Sequence, residues 1–490
     1  MKKLSLLSLI LAALFMITSC NIIINTPDTS SDTTTEAIPE ETYAHSNMVT
    51  APLDDIIATT ELQQFPVSMF KYFFMQDYNS FLDNYYYYLS YYGLDTNVPL
   101  HDQEYSGEEG MSWYDVFLDN GKRAFEQYAK FAEMALKEGM SLDEGDNAEI
   151  EAYLDSIEAA ARDYGETFDQ YISEFMGEGM NKERVRSAIS LSQLGYKYYL
   201  KLYNGPVYTD EQLEKAYTDG AGAYSLIDYN EAVIEALYDE TDDEEAVKAA
   251  KEEAKAKAEQ LKKLVEEGKS FTEAYNELIS VDDDGSEGTN EMLVTGAAYS
   301  SLEKFAFIYE KDTVEGQINI TYDDSGNATV IQCVKLPYKN TLKLVDVRHI
   351  LLTSTEYNTE DEAYAKAQEL VEKIVAATDK IDEITKLAAE FSEVPGSKTN
   401  GGLYEDVPPG EMVEEFNDWC FDPERQVGDI GIVKTSYGYH VMFLDGFGEE
   451  LWRYNCDAAL RDAEFTENAD RIYAEITVTY NEDLLDRIVK

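Results

Sequence analysis

The sequence predicts a multidomain α+β protein, helical towards both ends and carrying two α+β modules between them. Three observations support that expectation. Apolar residues recur at three- and four-residue spacing over residues 61–202 and again over 451–490, the period of helices with one buried face. Strand-like and helical runs follow one another over residues 345–447 in the order β, α, α, loop, α, β, β. Residues 222–339 repeat much of that order, so a second copy of the module is expected.

Met1-Lys2-Lys3 is a short positive start, and residues 4–17 form an uncharged apolar run too short to span a bilayer comfortably as a mature helix. Residues 1–20 therefore read as a secretory signal. The run closes Ile17-Thr18-Ser19-Cys20, which resembles a bacterial lipobox. That resemblance implies that Cys20 is diacylated, becomes the first residue of the mature chain and anchors it stably, since a single acyl chain holds only marginally. Residues 21–50 are rich in Thr, Ser, Asp, Glu and Pro, the composition of a flexible tether.

The 490 residues are enough for several domains with sizeable cores. With 97 acidic against 39 basic residues the formal net charge is −58, which disfavours contact with a phosphate backbone and argues against a nucleic-acid partner. The acidic turns at residues 281–285 and 322–326 do not complete a calcium-loop pattern, so no metal is assigned. With Cys20 acylated, Cys333, Cys420 and Cys456 remain; three thiols cannot all pair within one chain, and their wide spacing does not suit zinc. Buried free thiols are expected, and no cofactor is called for.

A helical domain is expected over residues 51–221. Its first helices are crowded with Phe65, Phe70, Tyr72, Phe73, Phe74, Tyr78, Phe81 and Tyr85 to Tyr88, and residues 113–136, 148–175 and 182–203 give three more helical stretches broken by glycine-bearing turns. Tyrosine joins an apolar body to a polar tip, which suits a half-exposed surface.

In the module at 345–447, an apolar run over 345–352 holding one imidazole, His349, reads as a strand. Thr359 opens a helix with Ala363, Ala367, Leu370, Val371 and Ile374 on one face, and residues 381–391 give a shorter helix. Residues 392–403, with Pro395, Gly396, Gly401 and Gly402, read as a sharply bent loop. Met412, Phe416 and Trp419 or Cys420 fall on one side of a short helix. Strands around 430–435 and 439–444 close the unit through Ser436-Tyr437-Gly438.

These pieces together resemble the parvulin-type peptidyl-prolyl cis/trans isomerases. The resemblance rests on Arg348-His349-Ile350-Leu351, the Phe391-Ser392 helix end, Ser397 to Leu403 with its paired glycines, Met412 four before Phe416, Phe421, Gly428, Thr435 and Gly438-Tyr439-His440. It implies that His349 and His440 lie side by side on neighbouring central strands and, with Thr435, form the catalytic polar network. It implies further that Met412, Phe416, Leu403, Phe421 and Tyr437 hold the substrate's proline. Turning an X-Pro bond breaks no covalent bond, so a site that favours the twisted amide is enough. Two departures stand out: Val394 falls where relatives carry cysteine or aspartate, and Gly402 runs straight into Leu403 without the usual aspartate. No Lys/Arg cluster marks residues 353–358, so a phosphoserine-proline preference is not supported.

The segment Lys201 to Leu213 resembles the approach to the isomerase module in extracytoplasmic foldases of the PrsA and SurA type. In those proteins the tail packs back on the N-terminal helices, implying one helical, chaperone-like domain built from residues 51–221 and 450–490. The earlier copy, 222–339, holds no histidine and lacks the paired-glycine loop; with Gly326 set against Gly438, Ala328 stands opposite His440. It is expected to be a degenerate parvulin-like module. The chain as a whole reads as a peptidyl-prolyl isomerase and foldase, lipid-anchored to the outer face of a bacterial cytoplasmic membrane. Its expected partners are unfolded exported proteins with X-Pro bonds, and a homodimer is left open. The alternative is a non-catalytic holdase or substrate-binding lipoprotein with an inactive parvulin fold.

Overall fold

The computed structural model describes residues 44–45, 48–239, 243–279, 292–298, 302–353, 357 and 359–489. The stretch expected to be a secretory signal, Cys20, most of the expected tether and the acidic turn at 281–285 lie outside the described residues. Among the described residues no helix is long and apolar enough to cross a membrane. The chain divides into two compact units, Met1–Pro206 with Arg461–Lys490, and Val207–Leu460.

The first unit is built on helices Val67–Tyr85, Trp113–Lys137, Glu144–Asp163, Phe168–Met176 and Lys182–Asn204. The expected single helix at 148–175 is two, because Gly165 turns the backbone to φ 74° and Thr167 starts a new helix with a capping box. A short antiparallel sheet, not foreseen in the sequence, precedes the helices: Ile56–Thr59 pairs with Gln64–Pro66 on one side and Thr479–Tyr480 on the other. The fully buried Glu133 side chain holds this hairpin, accepting hydrogen bonds from Thr60 Oγ1 (2.7 Å), the Leu62 amide (2.8 Å) and Gln63 Nε2 (3.0 Å). The aromatic run is mostly core. Phe70, Phe74, Phe117, Phe125 and the tyrosines 72, 114, 171 and 198 are buried, whereas Tyr86, Tyr87, Tyr88 and Tyr91 are exposed. Ile472, Ile476, Leu484, Leu485 and Ile488 from the chain's end share that core, and the Tyr114 hydroxyl donates to the Leu485 carbonyl while accepting from the Ile488 amide at 3.0 Å.

The second unit holds two sheets of identical topology. Ser225–Ile234 and Ala328–Lys339 are the central pair of the first, flanked by Leu293–Ala298 and Ile318–Tyr322; Lys343–Leu352 and Gly438–Glu450 are the central pair of the second, flanked by Leu403–Val407 and Ile430–Thr435. All pairings are antiparallel. Helices Glu244–Glu266 and Phe271–Leu278 cover one face of the first sheet as Glu360–Ala376 and Lys380–Phe391 cover the second. The strand pairing corrects the expected match of Ala328 to His440. Ile234 and Leu352 end corresponding strands, and Ile234 faces Ala328 while Leu352 faces Tyr439. Thr329, not Ala328, therefore stands in the position of His440, and Glu231 in that of His349. A one-residue slip sends a side chain to the other face of a sheet, which explains the difference: Ala328 is buried under helix Glu244–Glu266.

The three described cysteines are free and buried. Burial pushes the Cys420 thiol up to about 12 and the Cys456 thiol to about 11, so both stay protonated and inert at neutral pH.

Leu485 is 1 % exposed in the core that both chain ends share. Leu485→Ala should lower the unfolding free energy of the helical unit by about 2–5 kcal/mol, read by urea denaturation monitored through aromatic fluorescence.

Candidate functional site

The sheet of the second module presents different chemistry on its two sides. Ile350, Leu352, Val441 and Phe443 face the two long helices. On the other side Val345, Val347, Met442 and Leu444 pack against Phe416 and Cys420 of helix Glu414–Phe421. His349 and His440 belong to this second side. His349 pairs across the strands with Met442 and His440 with Leu351, so the two imidazoles are diagonal neighbours. Their Nδ1 atoms are 3.2 Å apart and the rings are stacked within 23° of parallel.

Each ring has a hydroxyl at its other nitrogen. Thr435 Oγ1 is 2.9 Å from His440 Nε2, and it accepts the Tyr437 amide at 3.1 Å, which fixes the hydroxyl at the hairpin end. Ser397 Oγ is 3.3 Å from His349 Nε2. Phe416 stands edge-on to both imidazoles, with ring centroids 5.5 Å and 5.6 Å away, and the Tyr404 ring lies 4.6 Å from that of His349. His349, His440, Thr435, Ser397 and Phe416 are all buried.

Burial holds both imidazoles neutral. It pushes His349 down to about 3, with the neighbouring His440 adding to the effect, and His440 down to about 4, where Glu415 partly opposes it. The floor of the site is thus a chain of four uncharged hydrogen-bonding groups under aromatic walls. It has donors and acceptors to orient a peptide but no activated nucleophile, which suits a conformational rather than a bond-breaking reaction.

The backbone explains why these residues meet. The Gly402 carbonyl accepts the His349 amide and the Gly402 amide donates to the Ser397 carbonyl, both at 2.9 Å. A Cβ on Gly402 would come within 2.5 Å of the His349 carbonyl oxygen, and the residue lies at φ 76°, so only glycine fits this crossing. Arg348, on the reverse side of the strand, donates to Asp445 at 2.9 Å and to the Gly401 carbonyl at 3.2 Å, tying the paired glycines to the sheet.

The structure redistributes the expected wall residues. Met412 is half-buried against the Phe416 cluster but precedes the helix, so it is not one helical turn from Phe416 within it. Leu403 faces Arg348 across the strands, away from the imidazoles, and the next residue, Tyr404, turns its ring to His349 instead. Phe421 is the half-buried last residue of the helix, on the same cluster. Tyr437, 64 % exposed, lies on the hairpin turn. Val394 caps the start of a short helix, Pro395–Asn400, that replaces the expected bent loop. Pro395 supplies the fixed φ of a first helical residue and Gly401, at φ 68°, ends the helix. That helix turns Ser397 inward. Ser397 and Tyr404 were the site residues missed in the sequence; alternation along strand Leu403–Val407 was the available signal for Tyr404, had that strand been recognised.

Among the described residues the first module has no such floor. Glu231, in the position of His349, pairs with Lys304 at 2.5 Å, and Tyr229 and Phe305 pack edge to face at 4.8 Å.

The sheet that carries these paired neutral imidazoles lies in a stretch with known relatives. Residues 331–445 match the family described as PPIC-type PPIASE domain. The chain is similar to a foldase protein PrsA of Geobacillus kaustophilus, 29 % identical over 27 % of this chain and 50 % of the relative. It is also similar to foldase protein PrsA 1 of Listeria monocytogenes, 33 % identical over 30 % of this chain and 44 % of the relative. Chaperone SurA of Pseudomonas fluorescens is 36 % identical over 21 % of this chain and 23 % of its own. The matched stretch therefore spans half or less of each of these relatives. The crystal structure of PrsA from Bacillus subtilis aligns over 77 % of this chain and 93 % of its own at 15 % identity, with a TM-score of 0.29.

Two measurements check this geometry. Both histidines ordinarily titrate near 6.5 and here titrate far lower, so on acidification the unfolded chain takes up protons that the folded chain refuses. The stability this pair contributes is complete above its ordinary value and is lost as pH falls towards about 4 and then about 3. Denaturation midpoints of the second unit should fall across that range, and fall less steeply in a His349→Gln, His440→Gln double variant. Gly402→Ala should cost about 1–3 kcal/mol from backbone strain, whereas Gly396→Ala, with open space around it, should stay within about 0.5 kcal/mol of wild type.

Proposed function

We propose that this protein is a peptidyl-prolyl cis/trans isomerase and foldase that assists exported proteins outside the cytoplasmic membrane. The observation that carries the reading is the contact between His349 and His440 at the floor of a site walled by Phe416, Tyr404 and Met412. An X-Pro bond isomerises over a barrier of roughly 20 kcal/mol set by amide resonance. Apolar walls strip water from the planar, charge-separated amide, and the imidazole and hydroxyl groups orient the peptide about the twisting bond. His349, His440 and Thr435 are the catalytic group in this reading. Met412, Phe416 and Phe421 hold the proline side, and Tyr437 lies on the exposed hairpin beside it. Leu403 acts only through its strand.

Partners in this reading are unfolded or partly folded exported chains, reached from a membrane to which Cys20 tethers the protein. Similarity to PrsA and SurA supports the class of partner, and the lipobox-like Ile17-Thr18-Ser19-Cys20 supports the anchor. The 222–339 module serves as a binding or spacing domain, and a homodimer is compatible with this arrangement.

A holdase reading is favoured by two observations, the valine at position 394 and the exposed tyrosines 86, 87, 88 and 91. One assay separates the two. On proline tetrapeptides, His440→Ala should lower kcat/KM by about a hundredfold, the scale of removing one preorganised hydrogen-bonding group, and Met412→Ala by about tenfold through lost apolar contact. Equal rates in wild type and both variants would reject the isomerase. Suppression of client aggregation without faster proline-limited refolding would select the holdase.

A further inference from the structure

The hydrogen bonds at the floor of the site form one unbranched line: Ser397 Oγ, His349 Nε2, His349 Nδ1, His440 Nδ1, His440 Nε2, Thr435 Oγ1. Two neutral imidazoles carry one N–H each, so the line can run in only two directions. In one, Thr435 donates to His440, His440 to His349, and His349 to Ser397, leaving the Ser397 hydrogen to find an acceptor elsewhere. In the other, Ser397 donates to His349, His349 to His440, and His440 to Thr435, leaving the Thr435 hydrogen over.

The surroundings of the two hydroxyls decide between them. Ser397 is fully buried, at 0 % exposure, and among the described residues His349 Nε2 is the partner of its hydroxyl. Leaving that hydrogen unmet would carry the full desolvation penalty of a buried, unpaired donor. Thr435 lies at the hairpin beside the exposed Tyr437, and its oxygen already accepts the Tyr437 amide. With His440 as a second donor both lone pairs are taken, and the hydrogen left over lies at the hairpin end of the line, next to the exposed Tyr437, although Thr435 is itself 6 % exposed.

We infer that Ser397 is a positioning residue: it donates to His349 Nε2, sets His349 as the Nδ1–H tautomer and His440 as the Nε2–H tautomer, and so turns the Thr435 hydroxyl hydrogen towards the substrate's peptide carbonyl. Ser397 touches no substrate; it acts through the two rings. The short helix Pro395–Asn400 delivers it, and the pair of backbone bonds from Gly402 to Ser397 and to His349 keeps serine and imidazole in step. The part of the inference that concerns a substrate carbonyl rests on the isomerase reading; the tautomer assignment does not.

Long-range proton–nitrogen NMR of the full-length protein, with 15N-labelled histidine at neutral pH, tests it directly. Wild type should show a protonated Nδ1 and a bare Nε2 on His349, and the reverse on His440. A protonated Nε2 on His349 would overturn the proposal, whatever the activity of the protein. In Ser397→Ala the pattern should change on both rings, although His440 does not touch residue 397; a folded variant with both patterns unchanged would equally overturn it. Should Ser397→Ala fail to fold, the wild-type spectrum still decides the direction. On proline tetrapeptides, Ser397→Ala should lose about tenfold in kcat with KM nearly unchanged, the scale of one neutral hydrogen bond. An unchanged kcat beside altered tautomers would reject the role of Thr435 towards substrate. An inactive wild type with the expected tautomers would reject the isomerase reading and uphold the assignment.

Discussion

One backbone crossing governs the site. The Gly402 carbonyl accepts the amide of His349 and the Gly402 amide reaches back to the carbonyl of Ser397, so a strand, a glycine turn and a short helix are fastened at a single residue. The Ser397–His349 half of the polar network is held by it. A methyl group at Gly402 would meet the His349 carbonyl oxygen, at the point where the turn leads into strand Leu403–Val407 and Tyr404.

The same sheet topology appears twice in the second unit, and among the described residues the copies differ in the pair of side chains on the central strands. His349 and His440 face each other uncharged, held so by burial; Glu231 and Thr329 occupy those places in the first copy, and Glu231 is tied to Lys304. A carboxylate needs a cation when partly buried, and Lys304 supplies it here. The fold therefore tolerates two kinds of floor, one neutral and one ionic, without a change of architecture, and chemistry is a matter of which residues the strands carry.

Aromatic residues contribute differently in the two units. In the helical unit they fill a core that draws on both ends of the chain, with Phe70, Phe117, Phe125 and Tyr114 packed near Leu485 and Ile488. In the second module Phe416 and Tyr404 are partners of imidazoles, edge-on or tilted, and exclude water from the rings whose neutrality the site requires. The exposed tyrosines 86, 87, 88 and 91 follow neither pattern and remain on the surface.

Much of the second module was legible in the sequence because its signals are local. Apolar, β-branched runs marked the strands of His349 and His440, helical spacing marked the two helices behind them, and the motif pieces in order pointed to the family. The helical character of residues 61–202 was equally plain, since amphipathic spacing survives any arrangement of the helices. What the sequence left undetermined depends on contacts between distant residues. The hairpin at 56–66 is recognisable only with its partner at 479–480 and the buried Glu133 beneath it. The match of Thr329 to His440 needs strand register, because a slip of one residue reverses which face a side chain takes. The exchange of Leu403 for Tyr404, and the inward turn of Ser397, follow from pairing with Arg348 and from the crossing at Gly402. Local periodicity is written in neighbouring residues and so fixes elements, whereas facing, register and hydrogen-bond direction arise only when elements far apart in the chain are brought into contact.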